Sequence, residues 1–410
     1  MGFPHASPDP AVITAPVRAA RPVTGSRGDH VDDLITFIQD CPSPWHTVAE
    51  GVRRLERSGF RAVHEQEFPG EAAGGRYLSG ADTLIAWYTA PGTPPGTPLR
   101  ILTAHTDAAG LRVRPEPDGA SAGWRRIRVA PHGPVPIAGW TDRDLGISGR
   151  ITLIDGSSRL VGSDEPLVRL PHRGAGDPLW GLGGAQPDGL LSRITADADV
   201  DFYEVRDWEL TLHDVQPPVR LGADREFLVG PRLDNLVALH AALTALAEAA
   251  RYGPDPAGPV VPVLVAHGPA GVPPLGRTLH RATGRAPTGA LAVALDLTAA
   301  AHPDEPDHGD DRPLPGGGPA VTSTGFLAAC ERAGVPWQRT APTGAARCAL
   351  GSSAAIADRL GVPVLDVGIA GLSPHAARAL CGTTDVWLLT RALTAFATAD
   401  DVDDREETAP

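Results

Sequence analysis

In the second half of the chain the spacing of apolar residues keeps switching between two periods. "LVALHAALTALAEAARYG" (236–253) has helical spacing and ends on glycine, while "VVPVLVA" (260–266) is a short continuous apolar run. "ALAVALDL" (290–297) is a second such run. "SSAAIADRLG" then reads as helix, "PVLDVG" as strand and "DVWLLTRALTAFA" as a closing helix. Short β-type runs without polar alternation suit strands buried on both faces, and the helices between them supply the cover. The alternation predicts an α/β fold: a mostly parallel sheet flanked by helices.

The first ordered segment reads the same way. Leu34, Ile35 and Ile38 form an apolar stripe that stops before Pro42. Ser43 is placed to cap a second helix, with Pro44 in its first turn and Gly59 beyond its end. "LRILTAHTD" (99–107) reads as a central strand. From about residue 111 to 221 the texture changes to short β-type runs such as "GRITLID" and "PLVRL" between Gly, Pro and Asp turns. The expected division is an α/β domain from 29–110 and 222–400, with 111–221 as an inserted β-rich domain. Residues 1–28 read as a disordered leader, and the acidic 401–410 as a disordered tail.

Charge removes several classes of function. The net charge is −13, with 36 basic against 49 acidic residues, and every basic one is arginine. An acidic chain has no basic face with which to release counterions from nucleic acid or from an anionic membrane. Without lysine there is neither a lysine nucleophile nor a Walker-type phosphate loop. Cys41, Cys330, Cys348 and Cys381 form no CxxC pair and read as thiols of a reducing compartment. The N-terminal stretch lacks a signal-peptide apolar run, so the expected location is cytoplasmic, with no membrane partner.

Four short motifs could carry chemistry. "AHTD" sets His105 and Asp107 two residues apart, "PRLDN" places Asp234 just ahead of a long helix, "ALDL" ends on a strand at Asp296, and "LSPHAAR" holds His375 beyond another strand. Two histidines and two aspartates at strand ends are the donor types a zinc site uses, and Asp107 could orient the His105 ring. Each motif alone has an ordinary reading: a hydrogen-bonded histidine, or an aspartate capping a helix.

Taken in order, these motifs resemble the M18 metallopeptidases, the aspartyl aminopeptidase family. "CPSPWHTVAEGVRRLERSGF", "AHTDAAGLRVRP", "GWTDRDLGISGR", "EFLVGPRLDN", "RLGVPVLDVG" and "LSPHAARALCG" all match family signatures in family order. The resemblance implies two zinc ions bridged by Asp234, with His105 and Asp296 completing the first position and His375 and a glutamate the second. It also implies a general-base glutamate directly before that ligand, a peptide substrate with a free N-terminus, and pairing of subunits through the β-rich insertion into a homo-oligomer.

The chain departs from this pattern where the chemistry is concentrated. Against the family's Asp-Asn-Glu-Glu-Val-Gly stands His267-Gly268-Pro269-Ala270-Gly271-Val272, so Pro269 and Ala270 replace both glutamates. Ala299 stands where the family has a histidine, and Ala379 where it has a glutamate. The first zinc position keeps three ligands and is expected to be weakened; the second keeps only Asp234 and His375 and is incomplete. Two readings remain open. One is a non-catalytic or impaired homologue holding one zinc. The other is an active aminopeptidase removing N-terminal Asp or Glu with a substitute base, for which His267 and the run "HPDEPDHGDD" (Asp304, Glu305, Asp307, His308) are the candidates. A solvated loop is the plainer account of that run.

Overall fold

The computed structural model describes residues 25–63, 73–172, 178–182, 189–253, 260–268, 289–305, 312–322, 324–340 and 361–399. The expected leader (but for its last four residues), the acidic tail, the "SSAAIADRLG" helix (but for Gly361), Cys348, Asp307, His308 and the Pro269-Ala270 pair lie outside them.

Helix formation begins at Ser26, which caps Arg27–Asp40 through a reciprocal bond with Asp29. The expected second helix is Pro44–Arg57, capped by the Ser43 side chain on the His46 N–H, with proline in its first turn. The long central helix is Leu233–Tyr252 and the last is Thr383–Thr398.

Two sheets organise the described residues. In the larger, 12-stranded sheet the central order is Leu84–Thr89, Val261–His267, Leu99–His105, Leu291–Ala299, Val364–Leu372 and Ala379–Gly382. Val261–His267, Leu99–His105, Leu291–Ala299 and Val364–Leu372 run parallel. Antiparallel neighbours flank them on both sides, so the sheet as a whole is mixed. Val261–His267, Leu99–His105 and Leu291–Ala299 are buried along nearly their whole length, as their unbroken apolar runs require, and Val364–Leu372 is buried from Val367 to Gly371. Successive side chains point to opposite faces. Leu264 and Ala266 accordingly join the core under Leu233–Tyr252 and Thr383–Thr398, while Val261, Val263 and Val265 pack with Trp87, Leu99 and Ile101 on the other side. Polar ends of the parallel strands collect along one edge, which is where an α/β sheet normally presents reacting groups.

The second sheet has seven strands, drawn from residues 110–214. Its longest pairing joins Asp144–Leu153 to Val205–Asp214. A separate core containing Leu111, Ile127, Leu145, Ile151 and Leu212 sits beneath it, and one short helix, Leu190–Asp197, accompanies it. Ala377, from the loop after Val364–Leu372, is buried in this second core and ties the two sheets together next to His375.

Among the described residues no helix is long and apolar enough to cross a membrane.

Candidate functional site

His105 is the last residue of its strand and pairs in parallel register with His267, the last residue of the neighbouring one. Their rings stand 4.4 Å apart, and the Thr106 N–H donates to the His267 carbonyl at 2.9 Å. Asp107 lies just past the strand, yet its Oδ1 is still 3.5 Å from His105 Nδ1. Its other oxygen is 3.2 Å from Nε2 of His132, a residue of the second sheet. Arg112 Nη2 is 3.3 Å from the same nitrogen. That nitrogen cannot donate to Asp107 and accept from Arg112 at once, and beside a carboxylate the donating form is the favourable one.

Burial acts to raise the Asp107 carboxyl, but hydrogen bonds from both histidines, together with their charge, overcome it and hold the group well below the usual carboxylate range. For His105 burial disfavours the charged ring, and the Asp107 hydrogen bond with the Asp296, Asp107 and Asp234 charges outweighs it, so the ring's pKa is raised. These linked charges place Asp234 and Asp296 in the electrostatic neighbourhood of His105.

Two expected placements need correction. Asp234 is not ahead of its helix but inside the first turn, because Arg232, at φ 54°, takes the cap position. The half-buried Arg232 guanidinium donates to the carbonyls of Cys41 and Thr106, and this anchor fixes where the helix starts. Asp296 does not end its strand either. Leu291–Ala299 continues three residues further, hydrogen-bonded to Val364–Leu372 up to the Ala299–Gly371 pair, so Asp296 is buried within the sheet. Burial, with repulsion from Asp234, pushes its carboxyl up to about 7 against the opposing pull of His105.

His375 stands in the loop between Val364–Leu372 and Ala379–Gly382, with its Nδ1 3.1 Å from Asp234 Oδ2. Ser373 and His375 both have left-handed backbones, at φ 56° and 62°. Two non-glycine residues in that region within three positions store strain that the surrounding packing must offset, a pattern common where a loop is shaped for a site. Trp140 of the second sheet region supports the loop, its Nε1 donating to the His375 carbonyl at 3.3 Å. A cleft opens between the two sheets here, lined by Asp107, His132, Trp140, Arg232 and Asp234.

The sequence profile of Peptidase_M18, the aminopeptidase I zinc metalloprotease family, matches residues 37–173, 185–264 and 316–397. The chain belongs to the M18 metallopeptidase family. Among its M18 relatives, the probable M18 family aminopeptidase 2 of Streptomyces avermitilis is 38% identical over 92% of this chain and 99% of its own length. The Mycobacterium tuberculosis protein of the same name is 32% identical, covering 90% of this chain and 98% of itself. Solved M18-type folds superpose well. The yeast aminopeptidase 1 (Ape1) crystal structure gives a TM-score of 0.80 at 22% identity, over 90% of this chain and 97% of that one. Ape4 in its complex with Nbr1 gives 0.83 at 21% identity, over 92% and 88%.

An M18 fold implies zinc. The donors His105, Asp234 and Asp296 fit one zinc ion in kind, since two buried carboxylates that repel one another are what a divalent cation would relieve. The fit is one of donor type and not of distance. Among the described residues no three His, Cys, Asp or Glu side chains stand as a group able to hold an ion.

Residue-by-residue reading missed His132, Arg232 and Trp140. His132 follows a β-type run in the insertion and carries no motif of its own. Arg232 lies inside "PRLDN", and the only signal there was an arginine directly before an apolar helix.

Proposed function

We propose that this chain is an M18 aminopeptidase homologue with an impaired catalytic centre, holding at most one zinc firmly. The observation that carries this reading is the stretch His267-Gly268-Pro269-Ala270-Gly271-Val272, which holds no carboxylate where the resemblance puts two adjacent glutamates. At the strand end leading into that pair stands His267, a buried ring packed on His105, where the family pattern has an acid. Bound zinc would polarise a substrate carbonyl and lower the pKa of an attacking water. His105, Asp234 and Asp296 would hold it, Asp107 would orient the His105 ring through Nδ1, and His375 and Asp234 alone would serve the second position. What the chain lacks is the group that takes the proton from water and returns it to the leaving amine, a role that contributes on the order of 10²–10⁴-fold to rate.

The division of the chain is part of the proposal. Residues 29–110 and 222–400 form the peptidase-type unit, and 111–221 form the subunit-pairing module of a homo-oligomer. Supporting this, Trp124, Ile154, Leu160, Phe202 and Tyr203, all in that module, are exposed large apolar side chains. A solved neighbour, S. cerevisiae mApe1, is described as a dodecamer.

Metal analysis of the purified protein, run beside hydrolysis of peptides with N-terminal Asp or Glu, tests the reading. The expected result is at most one retained zinc and no turnover above background. Robust zinc-dependent hydrolysis that disappears in His267→Ala would establish His267 as a working base and sink it.

A further inference from the structure

The loop that carries His375 is strained and does little to support itself. Ser373 and His375 stand in the left-handed region, which persists only where the surroundings over-determine it. Within the loop the backbone makes one hydrogen bond, from the Ala376 N–H to the Ser373 carbonyl at 3.3 Å. The remaining support has to come from outside.

Arg378, three residues after His375, brings it from three separate segments. Its Nη1 donates to Asp214 Oδ2 at 3.4 Å and to the Gln216 carbonyl at 2.7 Å. Nη2 donates to the carbonyls of Pro217 at 2.9 Å and Val229 at 3.2 Å. Asp214 ends a strand of the second sheet, Gln216 and Pro217 lie in the crossing back to the first, and Val229 belongs to Phe227–Gly230 of the larger sheet. The Arg378 and Asp214 side chains are 5% and 3% exposed, so the pair is shielded from water. Asp214 Oδ1 also accepts the Gln216 N–H at 2.9 Å. Pro217 and Pro218 have no N–H to pair, which leaves the crossing dependent on what binds its carbonyls. A planar guanidinium can serve these acceptors in two directions at once; a lysine ammonium, with three donors on one atom, cannot.

We propose that Arg378 is a positioning residue: it holds the left-handed loop that sets His375 against Asp234, and locks that loop to the crossing between the two sheets. The His375 Nδ1 to Asp234 Oδ2 approach of 3.1 Å is the geometry it maintains. Ala377 in the second core, and Trp140 on the His375 carbonyl, hold the loop from the other side, so the two walls of the cleft keep one relative placement. The inference goes beyond the impaired-enzyme reading and does not depend on it.

The test compares the natural full chain with Arg378→Lys, Asp214→Asn, their double variant and Leu246→Ala. Leu246 is a fully buried residue of Leu233–Tyr252, and its truncation destabilises the core without touching the loop. Two readouts are taken. Hydrogen exchange, followed by mass spectrometry, should quicken about tenfold or more over 371–382 in Arg378→Lys and Asp214→Asn, while 236–250 stays as it was. The double variant should be no faster than Arg378→Lys alone, because both changes break one contact. In fluorotryptophan-labelled protein the Trp140 resonance, identified by its absence in Trp140→Phe, should move in Arg378→Lys and stay in place in Leu246→Ala. Should Arg378→Lys fail to fold, exchange over 371–382 in Asp214→Asn decides alone. Exchange that rises equally along 236–250 would mean a general stabilising role and overturns the proposal. So does an unmoved Trp140 resonance in folded Arg378→Lys, or unchanged exchange over 371–382.

Discussion

Mild acid should loosen the contact between the first helices and the second sheet through two histidines, His46 and His213. Both rings line a solvent-open cavity beside Arg232. His46 follows the helix start and takes a hydrogen bond on Nδ1 from Ser43 Oγ at 2.7 Å. Burial, followed by the Arg232 charge, lowers its pKa to about 4. For His213 burial again comes first, then the charges of His46 and Arg232, and the pKa is also about 4.

A depressed histidine favours the neutral ring in the folded state. Its stabilisation is present above the unfolded value near 6.5 and is lost as pH falls towards 4. Between about pH 7.5 and pH 5 the loss comes to roughly 2 kcal/mol per ring, and nearer ~1 kcal/mol once contact with cavity water is allowed for. His105 and Asp385 work in the opposite sense. The pKa of His105 is raised, and Asp385 is pushed up to about 6 by burial, so the stability each contributes is lost as pH rises. The informative comparison is therefore between proteins and not between pH values alone. Urea unfolding of the natural chain, His46→Gln and His213→Gln near pH 7.5 and pH 5 should show a smaller acid loss in each variant, by about 1 kcal/mol. Equal losses in all three, within about 0.5 kcal/mol, would refute the argument.

His105→Ala should abolish zinc retention and His375→Ala should reduce it less, read by elemental analysis after gel filtration; two tightly held zinc ions in the natural chain contradict this. Pro269→Glu with Ala270→Glu should restore affinity for a second zinc, measured by calorimetry, before it restores turnover, because Ala299 and Ala379 remain and Pro269 has also constrained its own backbone. Gly149→Ala should cost about 3 kcal/mol or more, or prevent folding, since its Cβ would fall 2.0 Å from the Glu209 carbonyl oxygen on the paired strand. Thermal melts check it. Light scattering at micromolar concentration should give an oligomer, and a strict monomer removes the pairing role of residues 111–221.

The α/β class was legible because it is written in local periodicity. Helical spacing over 236–253 and unbroken apolar runs at 260–266 and 290–297 can be satisfied only by helices covering strands buried on both faces. The proposed donors His105, Asp234, Asp296 and His375, with Asp107 as the proposed partner of His105, were singled out through motif order, in short segments with their own turn and strand chemistry. Element boundaries were less accessible. Asp234 and Asp296 were read at the ends of elements and lie inside them, because a half-buried arginine anchor and a neighbouring strand decide where each element stops.

Tertiary structure alone decided which distant groups meet. His132 reaches Asp107 from the other sheet, and His267 packs at a tilt against His105 because residues 162 apart in the sequence lie side by side on neighbouring strands. No periodicity encodes such contacts. They depend on strand order and on the docking of two cores, each set by the burial of many side chains at once and not by the residues that happen to meet at the edge.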